Sequence, residues 1–465
     1  MAPKPALLRQ LGVVSATALV VSNMIGTGIF TTTGFLAGDL GSPSLVLWIW
    51  VVGAAVAFIG AMCYSELGDN LPSSGGEYVY LTEAFGPTWG FMTGWVSFFA
   101  GFSAPIAAAA LAFAGYVGYF FPSALPENAP AIAGHGDWTF RLGGAQWIVC
   151  VLVALFTILN VLGVQRAARV QNFLTALKVV VIVSFILFGF LAGHGDPANF
   201  SRAAIRDSVN PLPEQFAISL FWIYVAYSGW NAATYVAEEL RHPARTLPIA
   251  LAIGTGLVTV LYLSLNLVFI YAAPLQDMKG KLAVGAFAAS RLFGPQVASL
   301  FAALMALSLM ATVNAMVTIG PRVYFAMAKN GAFLASAAEV HPKWHTPVVA
   351  IVAQGICAMV LSVTPFPQLV IYIGFMLNFF AVLSVGSLFL LRRRPGWRKL
   401  RVVSFGYPLL PLLFVAVGLW MTYYGIQLKP WVSLAAAVTV ITGALVYHLR
   451  LKSRPVAKTP AVETY

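Results

Sequence analysis

Asn23-Met24-Ile25-Gly26-Thr27-Gly28-Ile29-Phe30 interrupts the first apolar segment of the chain with two glycines flanking a threonine. A helix in hydrocarbon has reason to stay unbroken, because bare backbone there leaves polar groups unsatisfied at a cost of several kcal/mol each. A break offers a ligand at the midplane the free carbonyls of one half-helix and the free N–H groups of the next. Close packing of two helices through small residues accounts for the same letters. A second interruption, Tyr227-Ser228-Gly229-Trp230-Asn231, decides between the two, since a glycine beside polar residues again breaks an apolar stretch near the middle of the chain. Paired interruptions in corresponding segments of two halves point to a binding site between the halves.

Composition sets the solvent. Of 465 residues 60% are hydrophobic and 9% charged, where a soluble domain carries roughly 25% charged residues. Stretches of about 20 apolar residues recur, so the chain is expected in a bilayer and no soluble globular reading competes. Lys4 and Arg9 before the first segment imitate a secretory signal, but the apolar run leads straight through Gly26-Thr27-Gly28 into more apolar residues and reads as an uncleaved span. Cys63, Cys150 and Cys357 fall inside apolar segments and read as buried thiols. No disulfide framework, metal or cofactor is expected.

Twelve spans follow from the apolar runs: 11–40 (broken), 45–67, 89–121, 147–164, 170–191, 216–240 (broken), 247–273, 297–328, 347–363, 369–391, 408–428 and 431–449. With the N-terminus in the cytoplasm, nineteen of the 27 Lys and Arg residues lie inside and seven outside, and Lys178 lies within a span. That bias predicts both termini cytoplasmic in a cell membrane, and it explains the net charge of +12 as orientation rather than as a nucleic-acid face. Phe85-Gly86-Pro87 opens span 3 and Phe293-Gly294-Pro295 opens span 8, each after a stretch suited to an interfacial helix. Five spans followed by five more, entering from opposite sides, make an inverted repeat. The expected fold is an all-α polytopic membrane protein with spans 1 and 6 broken. Residues 1–200 and 201–400 form its two halves, and 401–465 carries spans 11 and 12 with a tail.

At the first break, the half-helix ending near Ile25 presents carbonyls and a negative dipole end, while the half starting near Thr27 presents N–H groups and a positive end. The half-helix ending near Tyr227 adds further carbonyls. A ligand carrying a carboxylate beside an ammonium satisfies all three sets, which describes an α-amino acid; an amine with another anion fits as well. Lys178 lies nine residues past Arg169 at the cytoplasmic edge, about 13 Å into a core of about 30 Å. It reads either as a functional ionisable group or as a tie for carbonyls freed at the breaks. Trp230 and Asn231 suit a pocket wall and an amide that holds unwound backbone, or simple packing. Glu66, Glu238 and Glu239 read as gate or interface charges, and Arg392-Arg393-Arg394 as a stop-transfer flank.

These residues resemble a known family. Met24-Ile25-Gly26-Thr27-Gly28-Ile29-Phe30, Pro72-Ser73-Ser74-Gly75-Gly76-Glu77-Tyr78, Ala226-Tyr227-Ser228-Gly229-Trp230-Asn231 and Glu238-Glu239-Leu240 together are similar to the L-type amino acid transporter branch of the amino acid-polyamine-organocation superfamily, in a prokaryotic-like form. The resemblance covers spans 1 to 10. It implies alternating access and sodium-independent exchange of L-amino acids, neutral ones foremost. It also implies that the N–H groups of Thr27 and Gly28 hold the substrate carboxylate, and that carbonyls at Met24, Ile25, Val225 and Ser228 hold its ammonium. The same stretches place Gly26, Ala226, Tyr227, Gly229, Trp230 and Asn231 at the substrate. Lys178 matches a span 5 lysine that stands where relatives place a sodium ion and bridges toward spans 1 and 8. Val225 departs from the aromatic gate residue that family members often carry. The loop between spans 3 and 4 lacks a cysteine, so no disulfide-linked accessory subunit is expected; the partners expected are an amino acid and membrane lipid. The competing readings are a proton-coupled amino acid symporter and an amino acid sensor on the same fold. A membrane enzyme is disfavoured, because no intramembrane His, Asp and Glu lie within reach of one another.

Overall fold

The computed structural model describes residues 11–72, 75–123, 125, 131–329, 333 and 335–451. The expectations placed on Lys4, Arg9, Ser73, Ser74, the tail from Lys452, and the side chains of Arg166 and Glu238 lie outside what it describes.

The first apolar segment forms α1 (Val13–Met24) and α2 (Gly28–Leu40), bent by 44°. Ile25 leaves the helical region with a ψ of 92°, which ends the hydrogen-bond ladder at the letters singled out above. After α3 (Pro43–Asn70) comes the short α4 (Glu77–Phe85), then Gly86 and a long helix. That helix runs as α5 (Pro87–Val96), a π-helical turn over Ser97–Ser103, and α6 (Ala104–Gly118). β1 (Ala131–His135) and β2 (Trp138–Arg141) precede α7 (Gly144–Val161) and α8 (Val164–Leu191). The second half holds α9 (Leu212–Tyr227), a 3-10 helix over Ala232–Glu239, α10 (Pro243–Ala272), the short α11 (Leu275–Met278), and α12 (Val284–Lys329). The remainder is α13 (Val348–Leu361), α14 (Phe366–Leu391), the short α15 (Arg401–Ser404), α16 (Leu409–Leu428) and α17 (Pro430–Val446).

Among the described residues nine helices are long and apolar enough to cross a bilayer, and α1 with α2 make a tenth taken as one bent span. α9 and α13, of 16 and 14 residues, fall short of that measure and lie on the two remaining expected segments. The chain is a polytopic, nearly all-helical membrane protein. Trp147, Val151, Leu155 and Ile158 stand exposed along one face of α7, as a lipid-facing stripe must. Gly86 (φ 96°, ψ 172°) and Gly294 (φ 78°, ψ 174°) take matching backbone turns, each handing a proline to the first turn of a helix. Only glycine adopts that conformation readily, so the repeated Phe-Gly-Pro is one turn used twice.

Two expectations need correction, and one element had none placed on it: between spans 3 and 4, β1 and β2 pair antiparallel about the turn Gly136-Asp137, with Gly136 at φ 58°. The hairpin is strapped down by Gln368, which bonds both the N–H and the hydroxyl of Thr139 at 2.8 Å. Arg392 is more than a flank: its guanidinium grips Glu66 through two bonds of 2.6 Å, and that carboxylate also accepts from Trp397 Nε1 at 2.9 Å and the Leu400 N–H at 3.0 Å. Both partners are buried, and the further hydrogen bonds to the carboxylate are what lets such a pair survive away from water. Of the cysteines, Cys63 is buried while Cys150 and Cys357 are half-buried.

Candidate functional site at the crossing of two broken helices

The two breaks touch. A Cβ added to Gly28 would lie 2.5 Å from both Cα and Cβ of Ala226, and one added to Gly229 would lie 2.9 Å from the Asn23 carbonyl carbon. The start of α2 is thus pressed on the end of α9, and the end of α1 on the second break, where Gly229 holds φ at 99°. Small-residue packing and interrupted backbone, set against each other in the sequence, are both present at one point. Gly26 differs, because a Cβ there would meet nothing closer than 3.8 Å.

The loose backbone groups are unevenly occupied. Among the described residues, the N–H groups of Thr27 and Gly28 at the head of α2 have no backbone acceptor. The Met24 carbonyl accepts from the hydroxyl of Tyr262 at 2.6 Å, and that hydroxyl oxygen also lies 3.1 Å from the Ala226 carbonyl. One hydroxyl proton on α10 therefore serves both broken helices. The Ile25 carbonyl accepts from Lys178 Nζ, which also lies 3.5 Å from the Ser22 carbonyl. Lys178 is 2% exposed and reaches across from α8. Its acceptors are Ser22 on α1 and Ile25 directly after it. Val225 offers its carbonyl to Ser228 twice, through the N–H at 3.1 Å and Oγ at 2.7 Å.

The other expected residues turn elsewhere. Tyr227 donates to the Trp50 carbonyl at 3.3 Å, and the rings of Trp50, Tyr227 and Tyr262 pack against one another. Trp230 is buried edge-on against Tyr64 at 4.7 Å. Asn231 donates to Glu77 at 3.0 Å, and that carboxylate also accepts from Tyr64 at 2.9 Å and Tyr235 at 2.9 Å. Burial pushes the Glu77 carboxyl above its usual range, against the three hydrogen bonds that draw it down. Met24, Ile25, Gly26, Thr27, Gly28, Ala226, Gly229 and Lys178 thus meet at the crossing. Trp230 and Asn231 anchor the second break to α3 and α4. Tyr262 and Glu77 went unread as site residues: a tyrosine in an apolar run carries no pattern, and Glu77 showed only as a letter in a motif.

Two interrupted helices crossing at bare backbone, inside a bundle of apolar spans, are the pattern of a membrane transporter. The family profile described as amino acid permease matches residues 11–446, and the chain belongs to that family. It is 30% identical over 453 residues to the mouse (Mus musculus) large neutral amino acids transporter small subunit 2, covering 96% of this chain and 81% of that protein. The mouse Asc-type amino acid transporter 1 is 30% identical over 466 residues, with 97% and 83% covered. The mouse b(0,+)-type amino acid transporter 1 is 28% identical over 453 residues, with 95% and 88% covered. The chain is accordingly an amino acid transporter of the L-type branch and not an enzyme.

Proposed function

We propose that the protein exchanges neutral L-amino acids across a cell membrane by sodium-independent alternating access. The observation that carries this reading is the crossing itself, where the N–H groups of Thr27 and Gly28 have no backbone acceptor and the carbonyls just before them in the chain are held by Tyr262 and Lys178. The N–H groups take the substrate carboxylate at the positive end of α2. The ammonium lies toward the Met24 and Ile25 carbonyls, each of which keeps a second lone pair. Val225 O is a poorer acceptor than the resemblance implies, since Ser228 fills both of its lone pairs. The lysine ammonium supplies a fixed positive charge against α1, which supports sodium independence. The names of the relatives support neutral amino acids. The halves 1–200 and 201–400 are read as the inverted repeat on the matching turns at Gly86 and Gly294. Both termini are placed in the cytoplasm, and the chain is read as acting without a disulfide-linked subunit because its cysteines lie within α3, α7 and α13.

The test is uptake into proteoliposomes across an amino acid panel, with internal amino acid, sodium and pH gradients varied separately. Uptake should require internal amino acid and ignore sodium. Strong accumulation driven by a proton gradient into empty vesicles would replace the exchanger with a proton symporter. Cysteines placed at Ser201 and Lys399 should react with an impermeant reagent only from outside and only from inside, respectively; labelling of both from one face would overturn the orientation.

A further inference from the structure

At the hairpin end of the bundle a cavity of about 530 Å³ runs inward and ends on Phe35 of α2 and Trp222 of α9. These rings lie 4.6 Å apart and 9° from parallel. Phe366, at the first turn of α14, closes the set at 5.9 Å from Phe35 and 6.1 Å from Trp222. Trp222 and Phe366 are 4% and 6% exposed, so the stack is a plug rather than a surface patch. Its three rings come from three separate elements, two of them the half-helices that meet at the site. Trp222 stands three residues before Val225 on the same face of α9, about 4.5 Å further from the break. Val225 is where the resembled family often carries its aromatic gate.

We propose that Phe35, Trp222 and Phe366 form the outer gate of this transporter, one helical turn outward of the usual position, and that the depth left over Val225 accommodates larger substrate side chains. The contacts between the three rings are apolar and involve no hydrogen bond, and the near-parallel stack of Phe35 on Trp222 holds those two in register. With the bulk moved outward, a small side chain at Val225 leaves the wall beside the break free for the substrate.

This inference rests on the transport reading, and two measurements separate them. Val225→Cys, in a protein with Cys63, Cys150 and Cys357 replaced by alanine, is labelled on intact cells with an impermeant thiol reagent. Labelling should be slow, should rise about tenfold or more on adding Trp222→Ala, and should stay slow with Trp222→Phe. Phe35→Ala repeats the test should Trp222→Ala fail to elute as a folded species. Labelling that Trp222→Ala and Phe35→Ala leave unchanged, while exchange persists, overturns the gate. Labelling that responds while no variant moves amino acid keeps the closure and overturns the transport reading instead. In the second measurement Val225→Phe should raise KM for phenylalanine about tenfold more than KM for alanine. An equal change for both overturns the assignment of size selection to Val225.

Discussion

The freed carbonyls at the end of the first break's leading half-helix are held by groups from other helices, whereas at the second break the Val225 carbonyl is closed by its own neighbour. At Met24 and Ile25 the freed carbonyls receive a hydroxyl from α10 and an ammonium from α8, so their order depends on two distant side chains. At Val225 the freed carbonyl is closed locally by Ser228, and Asn231 passes the chain to Glu77 and a 3-10 helix. A break held from afar can be released by moving a neighbour, and a self-closed one travels as a unit. The contrast makes the order of the first break depend on α8 and α10.

Gly28→Val gives the largest effect, because it wedges a branched side chain where Ala226 backbone already stands at 2.5 Å from a Cβ. Binding and exchange should fall about 100-fold or more while the protein still inserts, measured by substrate-induced thermal shift and by flux. Wild-type flux in this variant would mean that the breaks need not touch. Lys178→Ala comes next, and should slow exchange about tenfold by freeing Ile25, with little change in the response to a pH gradient. A gradient-driven component that vanishes with the lysine would give the first break a proton-coupling role.

Ser228→Ala should act more weakly, about fivefold on KM, because the Ser228 N–H still closes Val225 at 3.1 Å. Tighter binding instead would show that the hydroxyl competes with the substrate ammonium and that the second break is not self-contained. The smallest effect concerns Glu77. Because its carboxyl titrates above the usual value near 4.5, its contribution to stability is whole below that pH and is lost as pH rises through the raised value. Melting temperature in detergent should therefore decline with rising pH across that window, and Glu77→Gln should flatten the decline. An unchanged slope would remove Glu77 from the link between the second break and α4.

Both breaks were legible because glycine beside polar residues is conspicuous in an apolar run, and Lys178 because a lone charge at that depth has few other meanings. The repeated Phe-Gly-Pro was legible because a single backbone turn demands the same letters twice. Tyr262 could not be read, since its role lies in a hydroxyl that reaches Met24 from 238 positions away. The ring stack failed for the same reason: Phe35, Trp222 and Phe366 share no spacing, and only the fold brings them together. The β1–β2 hairpin was the avoidable omission, for Gly136-Asp137 is a turn signal in plain view. The 3-10 geometry after Asn231 has no signature in Ala232–Glu239, whose end is tied to Leu11 through the bond of the Leu11 N–H to the Glu239 carbonyl at 2.9 Å.

The buried pairing of Glu66 with Arg392 also sets a timetable for biosynthesis. The two residues are separated by 326 positions, which a ribosome takes roughly 15 to 65 seconds to cover at about 5 to 20 residues per second. Throughout that interval the nascent first half carries a carboxylate near the C-terminal end of α3 whose guanidinium has not yet been made. It must wait at the water-facing edge of the bilayer or in the care of the insertion machinery. The pair thus forms only after α14 has been made, so the closing of this buried contact is a late event in assembly.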